Sequence, residues 1–576
     1  MHLLDTPLAG ERPSAAPSAN WQRPADLAVL GTLTTALAAC GGGGGGASGG
    51  AAPAPSQPTP TIDASPPPSA TQAARFLAQA TLGAGKAQIA AVQSSGYAAW
   101  LDSQFNLPAT QSHVDWLVAN GYDVEANRHI TTGLDNTLWR KLVGSPDALR
   151  QRVVLALSEI CVVSILGINS EWRQFVVAAY MDILEANAFG NYRNLLQQMS
   201  TSPAMGYYLT FRGSAKANPT TGSQPDENYA RELMQLFTLG LTQLNGDGTP
   251  KFNNGAPLDT YDQADVGGLA RVFTGFDLNT AGLSAPFPSD AYRRPMTVVA
   301  SRHETGAKTF LGTTIPAGTN GPQSLEMALN VLFNHPNLPP FVSRQLIQRL
   351  VTSNPSPGYV GRVAGVFANN GAGVRGDLQA VLRAILLDGE ARSDTNLTNN
   401  GFGKLREPVV RFLNWARGFG ATSPSGAWAI GDLSDPATRL GQSPMHAGSV
   451  FNFFRPGYVP PNSAIGSQGL SGPEFQITTE SSVAGYVNFM QRAISGVGIG
   501  DVRADYTPLL ALVNDSAALL NEVNLVLAAG QVSAATLANL KTALDTIVVT
   551  TPAGQLNRVH AALTLVMAAP EYIAQK

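Results

Sequence analysis

The chain has 576 residues, 44% of them hydrophobic, which is enough for a sizeable core and for more than one domain. Charged residues make up only 13%, against roughly 25% in an average soluble protein, and a formal charge of −3 excludes the basic footprint of a nucleic-acid-binding protein. With 58 Gly and 39 Pro, much of the surface must be neutral loop.

At the N-terminus Arg23 precedes the apolar run LAVLGTLTTALAA (Leu27 to Ala39), about as long as a signal-peptide core and too short to span a membrane. The run ends in Leu37-Ala38-Ala39-Cys40, which resembles a bacterial lipobox. That resemblance implies cleavage before Cys40 and lipid on its thiol, making residues 1–39 a lipoprotein-type signal peptide and a membrane the expected partner. Several acyl chains, at ~0.8 kcal/mol per buried CH₂, anchor stably where one does not. Gly41 favours the outer membrane of a Gram-negative envelope. The long segment before the run, and Asp26 beside it, depart from the usual leader. Residues 40–70 read as the lipidated cysteine followed by a Gly/Pro-rich linker. Once Cys40 is lipidated only Cys161 remains, so no intramolecular disulfide can form. Cys161 lies in RVVLALSEICVVSIL, which Glu159 interrupts; the run reads as a core helix with the thiol as a small buried hydrophobe.

From Thr71 onward apolar residues recur at spacings of three and four, as in NYARELMQLFTLG, PFVSRQLIQRLVT and GDLQAVLRAILLD, and strand-like alternation is scarce. The expectation for 71–576 is all-α, an irregular multi-helix bundle with long Gly/Pro-rich loops, and 505–576 as a candidate helical subdomain. Loops are expected at about 212–225, 245–258, 277–323, 392–402, 421–447 and 455–479. Loops of such length tend to carry function.

The stretch PDENYARELMQLFTLG (Pro225 to Gly240) reads as one helix: Pro225 at its start, Asp226 and Glu227 at the positive end of its dipole, and Gly240 as its cap. Glu227 and Arg231 are four apart in the favourable order. The same acid pair stands at a loop–helix junction, so Asp226 and Glu227 are candidate acid–base residues, together with Glu474 in GPEFQI. In VFNFFRPGYVPP, Arg455 lies between Phe454 and Pro456 and can grip an anion or a sugar hydroxyl. Asn452, Arg455 and Tyr458 on this loop, Arg231, and the adjacent His303-Glu304 are the candidate binding residues. Arg406-Glu407-Pro408 and Arg349 read as structural ion pairs. Gly371-Ala-Gly373-Val-Arg-Gly376 matches a dinucleotide fingerprint but follows a helical pattern, so it reads as an interhelical turn. No two histidines have a metal-ligand spacing. Neither metal nor cofactor is expected.

The blocks SPAMGYYL, PDENYARELMQLFTLGL, YDQADVGGLARVFTGF, HETGAKTFLG, KLREPVVRFLNWAR and SVFNFFRPGYVPP resemble the bacterial family catalogued as domain of unknown function 1800. The resemblance covers about 71–576. It implies an exported or envelope protein, often encoded beside a protein resembling the alkaline phosphatase/sulfatase superfamily, and carries no catalytic residues over. Three functions are therefore weighed. The first is an envelope module binding a polysaccharide or partner protein; the second is an extracytoplasmic hydrolase using loop carboxylates. The third is an accessory subunit of the phosphatase/sulfatase-like partner.

Overall fold

A computed structural model describes residues 67–576; the leader, Cys40 and nearly all of the linker read from the sequence lie outside the described residues. Ser69 caps the first helix, α1 (Ala70–Ala80), in a reciprocal box with Gln72. Then follow α2 (Lys86–Phe105), α3 (His113–Ala119), α4 (Leu134–Gly144), α5 (Ala148–Ile160), α6 (Arg173–Asn187), α7 (Tyr192–Thr201), α8 (Pro203–Tyr208), α9 (Asn228–Glu232) and α10 (Gln263–Ala270). The middle of the chain forms α11 (Gly321–Asn334), α12 (Leu338–Leu350), α13 (Pro357–Ala368), α14 (Leu378–Leu387) and α15 (Gly389–Arg392). The last part forms α16 (Pro408–Gly418), α17 (Ala464–Ser467), α18 (Glu480–Ile494), α19 (Thr507–Leu510), α20 (Ser516–Ala528), α21 (Ala534–Asp545), α22 (Pro552–Ala568) and α23 (Pro570–Ile573).

The described residues are mostly helical, and their strands form only short antiparallel pairs: β1–β2 (Phe252–Asn253, Ala256–Pro257), β3–β4 (Phe276–Asp277, Thr297–Val298), β5–β6 (Lys308–Phe310, Thr313–Ile315) and β7–β8 (Lys404–Leu405, Ala574–Gln575). In the last pair Lys404 stands opposite Gln575. No helix among the described residues is long and apolar enough to cross a membrane.

Two hydrophobic cores organise these elements. The larger gathers α1–α3 and α5–α14 around side chains such as Phe76, Tyr180, Tyr192 and Tyr359. The smaller gathers α16, α18, α20 and α22 around Phe412, Trp415 and Phe489. Helices α4 and α5 serve both, with Leu138 and Val154 in the first core and Trp139 and Leu155 in the second. The RVVLALSEIC run is the buried α5, as its apolar content demands, and burial pushes the Cys161 thiol up to about 12.

Two expectations need correction. The stretch from Pro225 to Gly240 is not one α-helix: α9 begins at Asn228, with Glu227 as cap, and Leu233–Thr238 widens into a π-helix. Pro225 therefore precedes the helix. Gly240, at φ +75°, ends the turn as read. The long loop at 277–323 is also more ordered than its composition suggests, holding β4, β5 and β6. β5 packs flat on α10, where a Cβ at Gly268 would stand 1.8 Å from the Thr309 carbonyl oxygen; no other residue fits that approach. The Gly371–Gly376 segment is the turn expected between α13 and α14.

Candidate functional site: a sealed charge centre and an open cleft

At the junction of the two cores, five ionised or ionisable side chains from separate elements meet with almost no exposure. Glu159 is the penultimate residue of α5, Arg349 lies in the last turn of α12, Lys404 is on β7, Glu407 caps α16, and Glu474 lies in the turn Pro473–Ile477. Lys404 Nζ reaches Glu407 Oε1 at 3.2 Å, Glu474 Oε1 at 3.1 Å and the Arg349 carbonyl oxygen at 2.9 Å. Arg349 Nη1 faces Glu159 Oε2 at 3.4 Å, and Arg152 on α5 donates to the Arg349 carbonyl at 2.6 Å. Gln442 donates to Glu407 Oε2 at 2.8 Å. The reading of Glu407 and Arg349 as partners of buried ion pairs agrees with this arrangement.

Helix geometry sorts the two central acids. Glu159 stands at the negative end of α5 and Glu407 at the positive end of α16, so the dipoles favour a proton on the first and charge on the second. Burial and the nearby charge of Glu407 push Glu159 well up, against the pull of Arg349. Burial opposes charge on Glu407 too. There Lys404, the hydrogen bond from Glu159, Arg349 and Arg152 prevail and hold the carboxylate well below its usual range. Burial also raises Glu474, with Lys404 opposing.

Two loops singled out in the sequence close over this centre. The ring of Phe454 lies 4.7 Å from the Arg349 guanidinium. Beside Glu159 is a cavity of about 10 Å³, lined by Ser158, Gln442, Ser443 and Asn452, large enough for about one water. Ser443 Oγ and Asn452 Nδ2 are buried there without a hydrogen-bond partner, and Asn452 holds a left-handed φ of +63°. The structure thus brings Glu474 and Asn452 to one place, with Arg455 and Tyr458 on the covering loop. The Arg455 guanidinium sits over Phe451 at 5.1 Å and its backbone N–H donates to Gln476, while the Tyr458 carbonyl accepts from Gly472 at 2.8 Å.

The remaining candidates lie in two places, Glu227 and Arg231 against Gln263 of α10 and His303 against Thr274. Asp226 accepts from Thr210 at 2.9 Å, and Glu227 binds Arg231 at 3.1 Å and Gln263 at 2.7 Å, the i,i+4 pair read from the sequence. Asp226 and Glu227 share no contact with Glu474, so the three carboxyls do not form one acid–base set. His303 is buried and donates from Nδ1 to the Thr274 carbonyl at 2.8 Å; burial pushes the ring below its ordinary range. Glu304 accepts from the Gly306 N–H. Sequence reading passed over Glu232, next to Arg231: burial pushes its carboxyl up to about 7, and its Oε2 lacks a partner.

A larger cavity, an open cleft of about 420 Å³, lies at the other end of α5 and α16, within the range of small-molecule sites. Its walls include Gln88, Trp100, Gln104, Arg417, Thr422 and Trp428. Arg417 forms part of the frame, donating to the Leu142, Val143 and Ser145 carbonyls at 2.7–3.0 Å. Trp428 adopts φ +52°, an outlier for so bulky a residue, and its ring lies so close to Gly144 that a Cβ there would stand 2.9 Å away. Its loop is pinned by Asp501, which accepts from Ser423 and Ser425, and by Asn136 donating to the Ala427 carbonyl. Sequence reading pointed to the 421–447 loop without finding Trp428. A loop tryptophan among Gly and Ser was the signal available.

The chain belongs to the family described as "Protein of unknown function (DUF1800)", whose model matches residues 75–574. No curated protein and no solved structure matches it.

Proposed function

We propose that this chain is a lipid-anchored envelope module whose cleft binds a segment of a polysaccharide. The observation that carries this reading is Trp428, held in a strained left-handed conformation so that its ring forms one wall of a 420 Å³ cleft with Trp100, Gln88 and Gln104. Strain of order 1–3 kcal/mol persists where the surroundings impose it, and it clusters at ligand-binding positions. Indole faces and side-chain amides match the apolar faces and hydroxyls of sugar rings. The near-neutral chain adds no electrostatic demand for a charged polymer.

The test is affinity electrophoresis of the full chain through gels containing neutral and acidic polysaccharides, with Trp428→Ala as comparison. Retardation by at least one polymer, reduced in the variant, supports the reading. Equal migration of both proteins in every gel rejects it. Anchoring is tested separately: Cys40→Ser should move the protein from the membrane fraction to the soluble one.

The Glu159–Glu407 pair favours a second reading, an extracytoplasmic hydrolase. Carboxyls pushed in opposite directions are the arrangement that gives up one proton and accepts another. Here the covering loop would have to lift to admit a substrate. Cleavage of a bound polymer by wild-type protein, abolished in a folded Glu159→Gln variant, distinguishes this from binding alone.

A further inference from the structure

A third polar cluster lies where α3 meets α6, and neither the cleft nor the charge centre uses it. Asp182 and Glu185 stand three apart on α6, on one face, and His113 is the first residue of α3. A ring nitrogen of His113 and one carboxylate oxygen from each acid lie within 4.8 Å of one another. Each group is oriented from outside. Asp182 accepts the backbone N–H groups of His113 at 2.6 Å and Val114 at 3.1 Å. Glu185 Oε1 accepts from Gln151 at 2.8 Å, and His113 Nδ1 meets Thr137 Oγ1 at 3.2 Å. Outer contacts of this kind fix the ligands of metal centres. Against this, His113 Nε2 is buried without a hydrogen-bond partner, in a residue only 1% exposed. A buried imidazole with one orphaned nitrogen, its ring beside two held carboxylates, points to a ligand that accepts a lone pair.

The positive charge now at the cluster is the Lys141 ammonium, which bonds Glu185 Oε2 and reaches the Thr110 carbonyl at 3.3 Å. Asp182 is partly exposed, so an ion has a way in. We propose that His113, Asp182 and Glu185 form a divalent-cation site, and that a bound ion takes the place of the Lys141 ammonium beside Glu185. One imidazole and two carboxylates suit Zn²⁺, with water as the fourth ligand and protein ligands at about 2.0–2.2 Å. The step is an exchange of one cation for another, with no bond made or broken in the chain.

The experiment is calorimetric titration of ZnCl₂ into the metal-stripped full chain, with MnCl₂ and CaCl₂ in parallel. The expected result is one Zn²⁺ per chain, bound at least tenfold more tightly than Ca²⁺, weakened at least tenfold in His113→Gln and tightened in Lys141→Met. Absence of saturable uptake, or equal affinity in wild type and a folded His113→Gln, overturns the proposal. If the variants do not fold, anomalous scattering at the zinc edge from Zn²⁺-soaked crystals decides. A peak among the three side chains supports the site, and no peak there overturns it.

Discussion

The charge centre and the cleft sit at opposite ends of the same two helices. α5 begins at the cleft with Ala148 and reaches the centre at Glu159; α16 begins at the centre after Glu407 and reaches the cleft at Arg417. At 1.5 Å per residue the two sites are about 15 Å apart. Both contain arginines, carbonyls and aromatic rings, yet they differ in what is left over. In the centre almost every charge has a charged neighbour and the ring of Phe454 lies over Arg349. In the cleft the arginine is spent on the frame, and the Gln88 and Gln104 side-chain oxygens accept from backbone N–H groups, which leaves the half-buried Trp428 ring to meet something else. The difference teaches that charge density is a poor guide to a binding surface here: the most charged place holds the cores together.

If that contrast is right, damage at the centre should be read in stability and damage at the cleft in binding. Lys404→Met has the largest expected effect. It strands the Glu407 and Glu474 carboxyls in the interior, and breaking a buried pair costs about 3–5 kcal/mol, seen as a lower midpoint in urea. Adding Glu474→Gln should return part of that loss. If Lys404→Met unfolds no earlier than wild type, the centre is not the fastening described.

Glu232 sharpens the contrast, because it is a buried carboxyl without a cation in contact. Its folded value of about 7 exceeds the ordinary 4.5, so the folded state holds the proton more tightly. Its contribution to stability is full below about pH 4.5 and is lost as pH rises through 7. Glu232→Gln should therefore stabilise the chain by up to about 3 kcal/mol at pH 8 and by nothing at pH 4. Thermal melts at both pH values check this.

Trp428→Gly should do the reverse of Lys404→Met. Polysaccharide affinity should fall about tenfold, or roughly 1.4 kcal/mol, while the melting temperature holds or rises because the left-handed strain is relieved. A fall in both would place Trp428 with the fastenings. The smallest effect is expected for Arg231→Ala, whose partly exposed pair with Glu227 should be worth only about 0.2–0.5 kcal/mol.

Helices were legible because apolar periodicity and caps are local. The buried α5 and the Glu227–Arg231 pair both follow from neighbours a few residues apart. The π-helical turn after Glu232 was not legible, since nothing in ELMQLFT sets it apart from an ordinary helix. Glu474 and Asn452 could be picked out as polar residues in aromatic loops. Their meeting with Glu159 and Lys404 could not, because the four residues come from four separate segments of the chain. The cluster of His113 with Asp182 and Glu185 was hidden for the same reason, its members being some 70 positions apart.

The pairing of Lys404 with Gln575 sets an order of events. The strand that carries the central ammonium is completed by residues some 170 positions further along, so this pairing waits on a long loop closure. Contacts of such separation form late. On that order Lys404, Glu407 and Glu474 are expected to stay hydrated until then, so that these two carboxylates are not buried before their cation. A nascent chain halted before residue 574 should accordingly be caught by proteases at the Lys404 segment, long after α5 and α6 have become resistant.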